Sequence, residues 1–557
     1  MQSVKIVIVG GVAGGASAAA KARRTNEKAE IIIFEKGPYV SFANCGLPYY
    51  IGGDIEDRDE LLLQTPEGFW KRFRVKVKVF HEVTAIRRKD KKVLVKNLLN
   101  REEIEENYDK LILAPGAGAV VPPLPGIQAE NIFLVKTVPD SDKIKLTIDQ
   151  LKPKKALVIG AGFIGLESAE ALKRRGLEVT VVELEPQVLP PFDMDMARLI
   201  ADHLRDEGIH LVLGDGIKAF STQEVNGEEK AFEVELQSGK RLPFDLVILS
   251  IGVRPEIRLA QEAKLEIGLS GGIVVNSHQQ TSDPDIFAAG DAVETLHLVT
   301  GKPTRIPLAG PANKQGRIAG ANAAGGNMAF KGALGTAIVE SMGITAAKTG
   351  LSEKEAKRHG LDFYVSVIHP LDHAEYYPGA TAVHIKLIIE KKNGRILGAQ
   401  IVGTHGVDKR IDVIATAIMA GMRVEDLEHL DLAYAPQFSS AKDPVVMAGF
   451  VASNTLRGET QTITCEELKS RLDRGDAIQL VDVRTRKEYE QGKIPGAQLI
   501  PVDELRDRLH ELDPQAETVV YCKVGLRGYL ATRILLQLGF NKVQNLTGGF
   551  ILCKDRD

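Results

Sequence analysis

The chain has 557 residues, 44% hydrophobic and 26% charged, and 71 Lys and Arg against 74 Asp and Glu leave a formal net charge of -3. That length exceeds what one core can hold and predicts three or four domains, while the balanced charge gives no electrostatic reason to bind nucleic acid or a membrane surface. No run reaches the ~18 apolar residues of a membrane helix, and the four cysteines (Cys45, Cys465, Cys522 and Cys553) lie far apart, so cytoplasmic thiols are expected rather than a disulfide framework.

Residues 4 to 9, VKIVIV, make an apolar run of strand length, followed by Gly10-Gly11-Val12-Ala13-Gly14-Gly15 and an Ala-rich helical stretch to Arg24. The weak positive start and the immediate turn into glycines argue against an export signal. The next apolar run, EIIIFE, ends on Glu35, where a dinucleotide fold places the acid for a ribose hydroxyl. Val12 stands where the second fingerprint glycine belongs, so the unit is read as a nucleotide site on Gly10, Gly15 and Glu35, with a non-binding βαβ unit as the alternative. Then SFANCGLPYY sets Cys45 among Ser41, Asn44 and a Gly-Leu-Pro turn, with no second cysteine near it.

The first pattern returns in ALVIGAGFIGLESAEALKRRG and EVTVVELEP, where Gly160, Gly162 and Gly165 complete G-x-G-x-x-G and Glu183 ends the second strand. Two such units in tandem suggest two cofactors that meet. Downstream, a strand at 286 to 289 runs into Gly290-Asp291, either a turn or an acid facing a polyol. HIKLIIEKKNGRILGAQIVG reads as a hairpin around Lys-Asn-Gly, with a helix in RIDVIATAIMAGM, an α+β domain. After a short polar linker, the strand TVVY leads into CKVGLR, read as a six-residue loop before a helix. Backbone N–H groups and Arg527 there would favour a Cys522 thiolate, its persulfide or an oxyanion.

On these motifs, residues 1 to about 450 resemble the flavoprotein disulfide reductases with two dinucleotide units, and most closely the single-cysteine coenzyme A disulfide reductases, since Tyr50 stands where a second redox cysteine would be. Residues 462 to 557 resemble rhodanese domains through LVDVRTRKEYEQGKIPGAQLIP and the C-x-x-G-x-R loop of Cys522, Gly525 and Arg527, with Lys493 in place of the usual histidine. The resemblance implies an α/β fold of four parts: an FAD domain (1–150 with 276–326), an NAD(P)H domain (151–275), a dimerisation domain (327–452), a linker (453–461) and a rhodanese domain (462–557). It implies FAD contacts at Gly10, Gly15, Glu35, Lys36, Val83, Ala114, Gly116, Gly290 and Asp291, and nicotinamide nucleotide contacts at Gly160, Gly162, Phe163, Ile164, Gly165, Glu183 and Gly252. Glu183 should favour NADH, with NADPH possible, and no metal is expected.

Coenzyme A, as substrate or prosthetic group, would meet Ser17, Lys21 and Arg24 on one helix face, together with Ser41, Asn44 and Lys442. A solvated helix face and simple turn formation are the plainer readings of these residues. Tyr376 and Tyr434, in AEYYPGA and AYAPQFSSAKDP, would stabilise the leaving thiolate from the partner chain of a homodimer, although tyrosines at an interface commonly only pack. Cys45 is expected to attack a disulfide or persulfide, with Cys522 carrying sulfane sulfur and sulfide released. A buried inert thiol is the bland reading of Cys45, and both Cys465 and Cys553 are expected to be structural or incidental thiols. The alternatives are an NADH oxidase or peroxidase cycling Cys45 through sulfenic acid, and a flavin redox sensor or sulfur-relay scaffold working through a protein partner.

Overall fold

In the computed structural model residues 3–554 are described, and the chain divides into two compact units, Met1–Pro190 with Ala201–Gly335 and Pro191–Ile200 with Thr336–Asp557. The outermost residues of the first and last expected domains, 1–2 and 555–557, lie outside the described part. Among the described residues no helix is long and apolar enough to cross a membrane.

The first unit holds two parallel five-stranded sheets. In one, Lys5–Val9 is the middle strand, flanked by Glu30–Phe34 and Lys110–Leu113, with Val75–Lys78 and Ile286–Ala288 outermost. Ile6, Val7 and Ile8 are fully buried, which is why the run reads as continuously apolar: a parallel sheet is covered on both faces. Each such side chain contributes roughly 1.5–3 kcal/mol of burial. Helix Ala13–Thr25 covers one face and packs on helix Ala309–Ala323, where a side chain at Gly316 or Gly320 would strike the carbonyls of Gly14 and Ala18. The alanine-rich composition therefore serves close helix packing. The second sheet repeats the plan, with Lys155–Ile159 between Glu178–Glu183 and Leu246–Leu249.

In the second unit an antiparallel sheet runs Ala337–Ser341, Ile344–Gly350, Ile396–Gly403, Val383–Glu390, Phe363–Ile368, and helix Val407–Met419 packs on it. The hairpin turns at Gly394, at φ 71°. Lys386, buried in this sheet, lies 2.8 Å from both Asp195 and Glu353 and 3.2 Å from Asp193, so one cation ties the segment 191–200 to the sheet. Residues read as the start of a linker are instead the last turn of helix Pro444–Leu456, whose buried Ala448, Ala452 and Ser453 carry its inner face on past residue 452.

A parallel sheet then follows in the order Gln461–Ile463, Val543–Leu546, Thr518–Tyr521, Gln479–Asp482, Gln498–Leu499. Cys465 and Cys553, expected as separate thiols, form a disulfide. Helices Cys465–Asp473 and Gly549–Cys553 bring their Cα atoms to 5.5 Å, within the reach of that bond, although 88 residues separate them in sequence.

Where the two sheets of this unit meet, His369 Nε2 lies 2.9 Å from the Gly548 carbonyl and its Nδ1 lies 2.6 Å from Nδ1 of His384. A carbonyl only accepts, so His369 carries its proton on Nε2 and His384 donates the Nδ1 bond. Burial, and for His369 also the neighbouring ring of His384, lowers their pKa values to about 3 and about 4. Both folded values lie below the unfolded ~6.5, so this contribution is complete above that pH and is lost as pH falls towards 4. The urea midpoint should fall between about pH 7.5 and 5, and fall less in His384→Gln. An equal fall in the variant would rule out the pair as the cause.

Candidate functional site

Each glycine turn is shaped by a contact that a side chain would block. Gly10 (φ 89°) lies against the carbonyl of Ala114, and Gly15 against that of Gly10. Gly160 (φ 100°) meets the backbone of Ser250, and Gly165 meets the Gly160 carbonyl. Gly162, which precedes helix Phe163–Arg174, has open space where a side chain would be. Phe163 opens that helix and Ile164 is exposed on its first turn.

The two strand-end acids behave alike. Glu35 accepts from the N–H groups of Gly11 and Gly37, both at 2.8 Å. Glu183 accepts from Ala161 at 2.7 Å and Glu185 at 3.0 Å. Each carboxylate thus fixes its own turn while keeping further lone pairs for a ribose. A cavity beside the first turn is lined by Gly10, Glu35, Lys36 and Val83 among others. Ala114 and Gly116 (φ 72°) follow the strand Lys110–Leu113, Gly290 (φ 86°) follows Ile286–Ala288, and Gly252 (φ 109°) follows Leu246–Leu249. A glycine-lined cradle, an acid at the strand end and an open cavity between them fit an FAD, and the second turn fits a nicotinamide nucleotide.

Cys45 sits in the 3-10 turn Asn44–Gly46, directly ahead of helix Leu47–Gly52. Ser41 adopts φ 50° and its N–H reaches the Gly11 carbonyl at 2.9 Å, which fastens the thiol segment to the first glycine turn. Cys45 is exposed as a residue, yet burial at its sulfur raises the thiol pKa, and the carboxyl groups of Glu167 and Asp291 raise it further. Burial also raises Asp291 itself. Ser17 donates to Asn313 Oδ1 at 2.6 Å, while Lys21 is half-buried and Arg24 exposed on the same helix.

In the second unit the Tyr376 and Tyr434 hydroxyls meet at 3.0 Å on an exposed surface, a bond that raises the Tyr434 pKa. Residues 58 apart are thus brought together, with Lys442 exposed at the end of the same loop. Elsewhere in the unit Cys522 is buried at the end of Thr518–Tyr521. The expected six-residue loop is shorter: the helix already opens at Leu526, because Gly525 at φ 110° turns the chain into it, and Arg527 lies in the first helical turn. The Gly525 N–H points at Cys522 Sγ at 3.1 Å. Arg527 is engaged by Glu488 through two 2.7 Å bonds, which hold that carboxyl down at about 2, so the guanidinium charge near the thiol is largely balanced. Lys493, in the place of the expected histidine, lies over the Tyr489 ring.

Three features escaped the sequence reading. The first two N–H groups after Gly549 donate to the carbonyls of Cys522 and Lys523, at 2.8 Å and 3.2 Å, and a side chain at Gly549 would press on both carbonyls. Asn545 bonds the Gly525 carbonyl from the neighbouring strand. Glu167, in the second turn of helix Phe163–Arg174, accepts from Tyr49; an acid two residues past the last glycine of the fingerprint was the available signal.

Residues 4–316 match the pyridine nucleotide-disulphide oxidoreductase family, 337–445 its dimerisation domain and 464–552 the rhodanese-like domain. The coenzyme A disulfide reductase of Staphylococcus haemolyticus is 38% identical over 449 residues, 80% of this chain and 99% of that protein. Over whole chains, the reduced CoADR-RHD of Bacillus anthracis is 48% identical with a TM-score of 0.95, covering 99% of this chain and 98% of that one. A NAD-dependent persulfide reductase from A. fulgidus is 41% identical with a TM-score of 0.90, covering 98% and 99%.

Proposed function

The chain belongs to the pyridine nucleotide-disulphide oxidoreductase family, and from that premise we propose that it is an NADH-dependent flavoenzyme reducing the sulfur–sulfur bonds of coenzyme A persulfide, polysulfide or coenzyme A disulfide. The observation that carries this reading is the inventory of thiols. The free cysteines are Cys45 and Cys522, since Cys465 and Cys553 are bonded to each other, so Cys45 has no second protein sulfur assigned to it and takes that sulfur from its substrate.

FAD would be held by the Gly10 turn, Glu35, Lys36, Val83, Ala114, Gly116, Gly290 and Asp291. NADH would be held by the Gly160 turn, with Glu183 repelling a 2′-phosphate. Bound together they supply the electron pair that returns the Cys45 mixed disulfide to thiolate. The Cys45 thiolate attacks the sulfur–sulfur bond and displaces a thiolate. Tyr376 and Tyr434, exposed and hydrogen-bonded to one another, donate to that leaving sulfur from the partner chain of a homodimer. Ser17, Lys21, Arg24, Ser41, Asn44 and Lys442 orient the coenzyme A. Cys522 carries sulfane sulfur in a loop whose Gly525 N–H faces the sulfur.

Cys522→Ser should cut sulfide release from persulfide and polysulfide at least about tenfold while changing coenzyme A disulfide reduction less than about twofold. Sulfide release at the wild-type rate on every sulfane donor would defeat the carrier role, and faster turnover on hydrogen peroxide than on persulfide would favour a peroxidase instead.

A further inference from the structure

The segment bearing Cys45 is locked to helix Phe163–Arg174 at several points. Gly52 meets Ala171, where a side chain would come within 3.2 Å of its Cα. Arg175 donates to the Ile51 carbonyl at 3.1 Å, Arg174 pairs with Asp54, and the Tyr49 hydroxyl donates to Glu167 at 3.3 Å. Tyr49 follows Cys45 by four residues, so its bond holds the Glu167 carboxyl against the thiol segment, and Glu167 is the larger of the two charged influences on the Cys45 sulfur.

We infer that Glu167 is a positioning residue for the Cys45 thiolate: the two groups hold one negative charge between them, so that the thiolate forms as the carboxylate takes up a proton. The step balances as Cys45–SH with Glu167–COO⁻ going to Cys45–S⁻ with Glu167–COOH. No electrons move, and the pair's charge stays at minus one. The inference rests on Cys45 being the reactive thiol of the proposed function.

The surrounding charges fit. Asp291, from the end of Ile286–Ala288, also faces the thiol, and Lys136 tempers it. Facing Glu167 are Tyr49 from the thiol segment and Glu170 from its own helix, the latter engaged by Arg174. Among the described residues no cation forms an ion pair with Glu167. Burial, then the Glu170 charge, outweighs the Tyr49 hydrogen bond and pushes its pKa up to about 7. A carboxyl raised in this way, whose charge in turn raises the Cys45 thiol, is the partner that the inferred proton exchange requires.

The test is the pH profile of iodoacetamide alkylation of Cys45 in the holoenzyme, read by mass spectrometry of the Cys45 peptide. This readout does not depend on turnover, so it can fail while the enzyme reduces its substrate, or succeed where no sulfur substrate is found. Glu167→Gln keeps an acceptor for Tyr49 and removes the charge. Its alkylation midpoint should fall by about one pH unit, a rise of about tenfold in rate below the midpoint. Glu167→Asp, which keeps the charge, and Glu170→Gln, one turn further along, should both stay close to wild type. A Glu167→Gln profile that superimposes on wild type, or an equal shift in Glu170→Gln, overturns the inference. Should Glu167→Gln fail to retain flavin, the wild-type profile decides alone: it must show two steps, the lower near pH 7, and a single step overturns the pairing.

Discussion

Replacing Cys45 by Ser is expected to lower NADH-driven turnover on coenzyme A disulfide by about a thousandfold or more. The sulfur forms the bond that the substrate sulfur leaves behind, and a hydroxyl, far less acidic than a thiol, cannot form a mixed disulfide. The residues expected to hold the cofactors lie on other segments: the glycine turns at 10–15 and 160–165, the acids Glu35 and Glu183, and Gly290-Asp291. The variant should therefore keep its flavin absorbance and still be reduced by NADH, while the step onto disulfide substrate is lost. Stopped-flow reduction followed by steady-state turnover separates the two. Retention of more than about a tenth of wild-type turnover would show that another group performs the attack.

The second large effect concerns stability. Cys465→Ser, or equally Cys553→Ser, opens a loop of 88 residues, and the loop-entropy relation puts the loss at about 4–5 kcal/mol. The disulfide joins a helix that opens the C-terminal region to one that closes it, so nearly the whole parallel sheet of the second unit lies within the loop. Urea unfolding under oxidising conditions should show both single variants destabilised alike, with the difference from wild type vanishing once reductant is added. A difference below about 1 kcal/mol in oxidised protein would mean that the cross-link constrains little of the unfolded chain.

Much of the architecture was legible because it follows from short-range patterns. The runs before Gly10 and Gly160 are apolar throughout, and only a strand covered on both faces tolerates that; the glycines after them mark backbone approaches that the fold then makes. The Cys45 turn was equally local. What escaped depends on long-range contact. Nothing in the spacing of Cys465 and Cys553 announces a bond across 88 residues. The engagement of Arg527 by Glu488 joins positions 39 apart and changes the electrostatic reading of the Cys522 loop from cationic to balanced. That loop was drawn too long because Leu526 and Arg527 look the same at the end of a loop as at the start of a helix, and the left-handed Gly525 decides between them. Glu167 was passed over because its significance lies in Tyr49 and Cys45, more than a hundred residues earlier.

The strand Ile286–Ala288 and helix Ala309–Ala323 complete the first sheet, although that sheet begins at Lys5. On a ribosome the chain emerges in order, and domains close as their parts appear. The second parallel sheet has all its strands once Leu249 is out, whereas the first still lacks its edge strand and the helix that packs on Gly14 and Ala18. The inserted nucleotide unit can therefore close while its host remains open, and the cradle around Gly10 becomes complete only after more than 300 residues have been synthesised. On the proposed function, flavin would thus be captured late in synthesis, once helix Ala309–Ala323 has emerged.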